Sequence, residues 1–290
     1  MDTPVMRSGT ATAIGVAAIL LWATLASLTA LRGPIPPFET TAIVFAVGGT
    51  TIALVAVLRG RLAWLVPTWA SFALGVFGLF VYHALYFAAL TLAPPAEASL
   101  ITSLWALLTV LFSALLPGHR LRAAHVVGAL LGFAAAAVLV RDRLGSAQPL
   151  ATAPVGFALA FGCAFVWSSY SVASRLLAAV PSESIAIACL ATAVLAALCS
   201  FAFEAWVTPP DLGSWTALVG LGVGPLGAAF LFWDIGMKKG NVPLLGVLSY
   251  AALILSTLLL IALGLAQPTW SLAVACTLMI GAAVVATRFA

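Results

Sequence analysis

The chain has 290 residues, of which 64% are hydrophobic and only 7% are charged. A soluble globule carries roughly a quarter of its residues charged, so a water-exposed surface cannot be built from this composition and the bilayer must be the main solvent. Spans of about 20 apolar residues each use up most of the chain, which excludes a separate soluble domain; the net charge of +4, scattered over short loops, suits membrane orientation rather than nucleic-acid binding.

Apolar runs between Gly, Pro and charged punctuation predict ten transmembrane helices at about 12–31, 38–58, 69–91, 95–116, 122–140, 153–177, 184–203, 213–234, 242–263 and 269–287. The runs are long and continuous, so a transmembrane barrel, whose strands alternate over about ten residues, is excluded. The first run follows Arg7 and could be read as a signal peptide. It is long enough to span, and residues 13–31 resemble the interior residues 158–176, so it is expected to be retained. With the N-terminus in the cytoplasm, inner segments hold Arg7, Arg59, Arg61, Arg120, Arg122, Arg175, Lys238, Lys239 and Arg288. Outer loops then hold Arg32, Arg141 and Arg143. This asymmetry predicts a multi-pass protein of the inner membrane with both termini cytoplasmic.

The chain divides into halves, 1–145 and 146–290. Superposing them aligns Trp22 with Trp167, Pro36 with Pro181, Gly75 with Gly220 and Arg143 with Arg288, and sets Trp105 on Tyr250. Five spans is an odd number, so the second copy enters the membrane upside down. The expected fold is therefore all-α and polytopic: ten helices as two inverted five-helix repeats around a central cavity, an architecture used by transporters.

His83 is the strongest candidate for chemistry, because an ionisable group deep in a span is a functional hypothesis by default. Its neutral ring could donate to a substrate carboxylate or accept from an ammonium. Tyr82 and Tyr86 lie one turn apart beside it. Trp22, Trp105, Trp167 and Tyr250 sit nearer mid-span and could wall a site for a planar side chain. Trp64, Trp69, Trp206, Trp215 and Trp270 lie near span ends, as interfacial anchors do. Ser99, Thr102, Ser103, Ser168, Ser169, Ser171 and Ser249 offer hydroxyls, although mid-helix Ser and Thr commonly bond to their own i−4 carbonyl. Packing is the competing reading for each of these groups. Glu97 follows Pro94 and Pro95, where a carboxylate is stabilised by a helix N-terminus; Asp234 is placed to cap a helix or pair with Lys238. Gly224, Pro225 and Gly227 interrupt the eighth span and could act as a hinge or gate.

Residues 86–120, YFAALTLAPPAEASLITSLWALLTVLFSALLPGHR, resemble the span 3–span 4 pattern of the drug/metabolite transporter superfamily, EamA type. Gly128, Gly132 and Ala136 continue the resemblance into the fifth span, and Ile235 to Gly264 carry the second copy. Trp105-Ala106 and Tyr250-Ala251 stand where the family commonly has a mid-span Pro, and His119-Arg120 where it has an acidic-basic pair. The aromatic content and the HALYF stretch are most similar to the family's bacterial aromatic amino acid exporters. The resemblance implies export of aromatic amino acids and related amphipathic compounds, with spans 1–4 and 6–9 walling the cavity and spans 5 and 10 outside it.

With no pair of buried carboxylates in the sequence, obligate ion coupling is not called for, and a monomer in the bilayer is the expected state. The four cysteines lack metal spacing, and no HExxH, P-loop or nucleotide fingerprint occurs, so neither a metal nor a cofactor is expected. The alternatives are a transporter of other small metabolites or drugs and, from a different class, a membrane-embedded enzyme or a non-transport scaffold.

Overall fold

In a computed structural model, residues 7–118, 121–141, 151–264 and 267–288 are described. The expectations placed on His119, Arg120 and Arg143, and on a boundary between 145 and 146, lie outside them. Within the described residues the chain is all-helical. The helices are α1 (Ser8–Leu31), α2 (Pro37–Leu58), α3 (Trp69–Leu92), α4 (Glu97–Leu115), α5 (Ala123–Val140), α6 (Ala153–Leu177), α7 (Ser182–Phe203), α8 (Leu212–Lys239), α9 (Val242–Ala262) and α10 (Trp270–Arg288). Among the described residues, all but α5 are long and apolar enough to cross a membrane, and α5 is a shorter apolar helix. Helices satisfy their own backbone groups, which is what hydrocarbon demands.

The starts follow local rules. Pro37 occupies the first turn of α2, where its missing N–H costs nothing. The Asp211 carboxylate accepts from the Ser214 N–H at 2.7 Å and Asn241 accepts from the Leu244 N–H at 3.1 Å, capping α8 and α9. The α2–α3 connection turns at Gly60, whose φ of +67° is costly for other residues.

Packing is pairwise and regular. α2 lies along α7, α5 along α10 and α4 against α9. α1 packs on α8 and α9, while α6 packs on α3 and α4; α8 meets α2, and α7 meets α3. Large apolar side chains such as Leu58, Phe161, Phe165, Leu198, Phe201 and Ile280 point outward, a surface suited to lipid. The inter-helix seams are made of small residues, as expected where lipid removes the hydrophobic drive to associate. A methyl added at Gly48 would sit 2.7 Å from the Gly222 carbonyl oxygen, and one at Gly15 would sit 3.3 Å from the Gly236 Cα.

The alternation of helices sorts the connections between two ends. At the end holding Ser8 and Arg288, the Thr12 hydroxyl accepts from the Asn241 N–H at 2.9 Å and Arg175 donates to the Gly240 carbonyl at 2.8 Å. At the opposite end the α7–α8 connection grips the start of α2: the Phe38 and Glu39 N–H groups donate to the Glu204 carboxylate at 2.8 and 3.0 Å. In return, Glu39 accepts from the Val207 N–H at 2.8 Å.

α8 runs further than the apolar pattern alone suggested. It continues to Lys239, so Asp234 lies inside the helix rather than at its end. Its carboxylate is 2.7 Å from the Lys238 ammonium one turn on, and both side chains are buried. Lys238 also donates to the Val180 carbonyl at 3.0 Å. The sequence-based pairing of Asp234 with Lys238 therefore holds, at a deeper position.

Candidate functional site

Five helices are interrupted at mid-length. α1 breaks at Thr24, whose hydroxyl donates to the Leu21 carbonyl at 2.7 Å. α4 breaks at Ser103, whose hydroxyl donates to the Leu100 carbonyl at 2.7 Å. α9 breaks between Leu248 and Ala251, where the Ser249 hydroxyl donates to the Leu245 carbonyl at 2.7 Å. Back-bonding hydroxyls of this kind bend helices. α3 and α8 instead carry π-helical segments, Phe77–Val81 and Gly224–Ala228; such wide turns inside α-helices occur frequently at functional sites.

The interruptions surround one cavity of about 370 Å³. Its lining includes His83, Tyr82, Tyr86, Ser99, Ser103, Trp105, Trp167, Tyr250 and Trp22, so these candidates from the sequence meet around one room. Thr102 and Ser249 also line it, whereas Ser168, Ser169 and Ser171 do not. The Ser168 hydroxyl bonds to the Ala164 carbonyl at 2.7 Å, and the Ser171 hydroxyl accepts from the Trp233 indole N–H at 3.0 Å. These two hydroxyls are absorbed by the fold.

The floor is an aromatic cluster. The Trp22 ring lies 6.2 Å from Trp105, 5.8 Å from Trp167 and 5.0 Å from Trp233. Trp105 and Trp167 meet edge to face at 6.2 Å, the favoured geometry for two quadrupoles. Above them Tyr82 and Tyr86 present parallel rings with centroids 6.0 Å apart. Phe230 and Trp233 were not anticipated. They fall with Leu226 on one stripe of α8, at spacings of four and three residues, and that periodicity was the available signal.

Two geometries refine the expected roles. The His83 Nδ1 is 2.6 Å from the Leu79 carbonyl oxygen. A carbonyl can only accept, so Nδ1 carries the proton and, in the neutral ring, Nε2 is a bare acceptor. Among the two roles open to His83, accepting from an ammonium is the one this tautomer permits. The Trp22 indole N–H donates to the Pro225 carbonyl at 3.0 Å, so Trp22 offers its ring but no free donor. That bond also ties α1 to the π-helical segment of α8.

The three residues of the proposed hinge differ from one another. Gly224 has room, since an added methyl would meet nothing nearer than Leu21 at 3.8 Å. Gly227 has none: its methyl would fall 2.2 Å from the Gly222 carbonyl oxygen and 2.9 Å from the Gly48 Cα.

This architecture has known counterparts. The model of the EamA-like transporter family matches residues 9–141 and again 154–288. The chain belongs to that family. It is 53% identical over 287 residues to the aromatic amino acid exporter YddG of Ancylobacter novellus, covering 98% of this chain and 99% of that one. It is 28% identical over 268 residues to the YddG of Salmonella typhimurium, covering 88% of each. A solved crystal structure, 52% identical, matches 98% of each chain with a TM-score of 0.94. The cavity is thus set in the helical framework of a multi-pass membrane transporter.

Proposed function

We propose that this transporter exports aromatic amino acids and related amphipathic metabolites across the inner membrane by alternating access, as a monomer and without obligate ion coupling. The observation that carries the reading is the cavity itself: a room of about 370 Å³ walled by Tyr82, Tyr86, Trp105, Trp167 and Phe230, with His83 and Ser103 at its side. Aromatic faces suit a planar side chain, and a few placed polar groups fix the amino-acid end. The names of the two relatives point the same way.

The reading includes ten spans in two inverted repeats with both termini cytoplasmic. The helix pairing supports it. Advancing each helix number by five turns α1–α8 into α6–α3, α4–α6 into α9–α1 and α2–α8 into α7–α3, while α2–α7, α4–α9 and α5–α10 map onto themselves. Cysteine labelling tests the orientation in a background without native cysteines. Positions in 204–212 should react with an impermeant reagent from outside and positions in 117–121 should not; the reverse pattern overturns it.

Gly224 and Pro225 supply the moving part in this reading. They interrupt α8 beside the cavity, where a bend can differ between outward and inward states.

Counterflow of labelled Phe or Trp into proteoliposomes of the purified protein tests the activity. Uptake should exceed that of empty liposomes. His83→Ala should raise the half-saturating concentration about tenfold, the value of one polar contact of about 1.5 kcal/mol. Absence of counterflow with folded protein rejects the proposal.

A further inference from the structure

The cavity's polar groups are all neutral. No Asp, Glu, Lys or Arg lines it among the described residues. The hydroxyl protons of Ser103 and Ser249, which line the room, are committed to helix carbonyls, so these two groups have only lone pairs to offer. His83 presents Nε2 as an acceptor because its proton is held on the Leu79 side. The Trp22 N–H is spent on Pro225. Against these acceptors stand neutral donors only, among them the Tyr82, Tyr86 and Tyr250 hydroxyls and the Trp105 and Trp167 indole N–H groups, while the aromatic faces attract cations.

An amino acid brings two charges into this room. Its ammonium supplies three donors and a positive charge, and both have partners here. Its carboxylate meets no cationic side chain, and hydroxyls such as those of Tyr82 and Tyr86 are neutral donors only. Recognition therefore centres on the ammonium. A ligand that keeps the ring and the ammonium but lacks the carboxylate loses no charged partner and sheds the group the lining serves least.

We propose that the same cavity takes aromatic primary amines, of the phenethylamine and tryptamine class, as a second class of substrate. The inference rests on the reading of the cavity as the transport site. It adds that the ammonium, not the carboxylate, is the end that the site reads, with His83 Nε2 as its principal hydrogen-bond acceptor.

Three ligands that share one ring decide the matter: phenylalanine, phenethylamine and 3-phenylpropionate. Each is added as a competitor of labelled-Phe counterflow in proteoliposomes, and as a ligand in thermal unfolding of the detergent-purified protein. Phenethylamine should compete within about threefold of phenylalanine and raise the unfolding temperature, while 3-phenylpropionate should need about tenfold more or fail to compete, the factor expected for one charged contact. His83→Ala should weaken phenethylamine about tenfold. Phenethylamine preloaded into the proteoliposomes should also stimulate Phe uptake above that of the same proteoliposomes with nothing preloaded, and give no stimulation in liposomes without protein, which marks it as carried rather than merely bound.

If Phe counterflow proceeds and 3-phenylpropionate competes as well as the amine, the inference is overturned and the transport reading stands. If phenethylamine competes without stimulating uptake, it is an inhibitor and the second substrate class is rejected. Lack of Phe counterflow removes the transport reading and this inference with it. Should His83→Ala fail to fold, the ranking of the three ligands on the unmodified protein already decides between the outcomes.

Discussion

The two ends of the helix bundle are closed by different chemistry. At the end that holds Ser8 and Arg288, helices meet each other directly. Gly15 faces Gly236, Gly246 lies against Val110, and the buried Asp234–Lys238 pair sits between α6, α7 and α8. At the opposite end the ties run around the rim, from Glu204 to the start of α2 and from Glu39 to Val207, while the cavity occupies the middle. Rim contacts hold the perimeter without filling the centre. Direct helix contacts fill it. In the proposed alternating-access cycle, the first end is the one whose packed groups would have to separate, whereas the rim ties of the second end leave its centre free.

The sharpest test of that contrast is Asp234. Removing one partner of a buried ion pair leaves an uncompensated charge and costs about 3–5 kcal/mol. Asp234→Ala should lose about that much stability in denaturant unfolding of the purified protein. The apolar double variant Asp234→Leu with Lys238→Met should recover most of it, because burying both charges was itself costly. Equal losses in the single and double variants would show that the space around the pair, rather than its charge, holds this end.

Next in size is the glycine seam between the two ends. Gly227→Ala forces a methyl into the Gly222 carbonyl and the Gly48 backbone, an overpacking worth about 1–3 kcal/mol. Gly224→Ala makes only an ordinary contact with Leu21 at 3.8 Å and should leave the folded yield unchanged. Its effect should appear in counterflow instead, since a Cβ there narrows the conformations open to the π-helical segment. A Gly227→Ala protein as stable as the parent would mean that α8 can shift away from α2.

Smaller still is the bond from Trp22 to Pro225. Trp22→Phe keeps most of the ring and loses the hydrogen bond, a net effect of about 0.5–1.5 kcal/mol. It should change the counterflow rate more than Trp270→Phe, since Trp270 is 77% exposed and makes no comparable bond. Indistinguishable rates would remove Trp22 from any part in joining α1 to α8.

Much of this was legible in the sequence, for physical reasons. Hydrocarbon forces long apolar helices, so the positions of the spans could be read from apolar runs. An ionisable or bulky aromatic group at mid-depth is costly or conspicuous, so His83, Tyr86, Trp105 and Trp167 stood out and do share one cavity. Other features depend on three-dimensional pairing. Phe230 looks like any other apolar residue of α8 until its stripe is turned toward Trp22. The His83 tautomer is set by the Leu79 carbonyl, which only the helix geometry supplies. Ser168 and Ser171 have the same side chain as Ser103, yet the face they occupy on α6 turns them into the bundle. The grip of Glu204 on α2 joins residues 166 apart in the chain.

That grip gives the last test, the one with the smallest expected effect on transport. Pro36, at the start of α2, has no side chain that can cap the helix, so the first-turn N–H groups of Phe38 and Glu39 depend on Glu204. A carboxylate there also meets the positive end of the helix dipole, an effect of about 0.3–1 kcal/mol. Glu204→Gln keeps one carbonyl oxygen for one N–H and turns an amide against the other, so it should cost about 1 kcal/mol, within the range of a lost cap. Glu204→Ala should cost up to about 2 kcal/mol. Both should unfold earlier in denaturant while counterflow per folded molecule stays at the parent rate, because the rim does not have to open. A loss of transport at unchanged stability would place this rim among the parts that move and erase the distinction between the two ends.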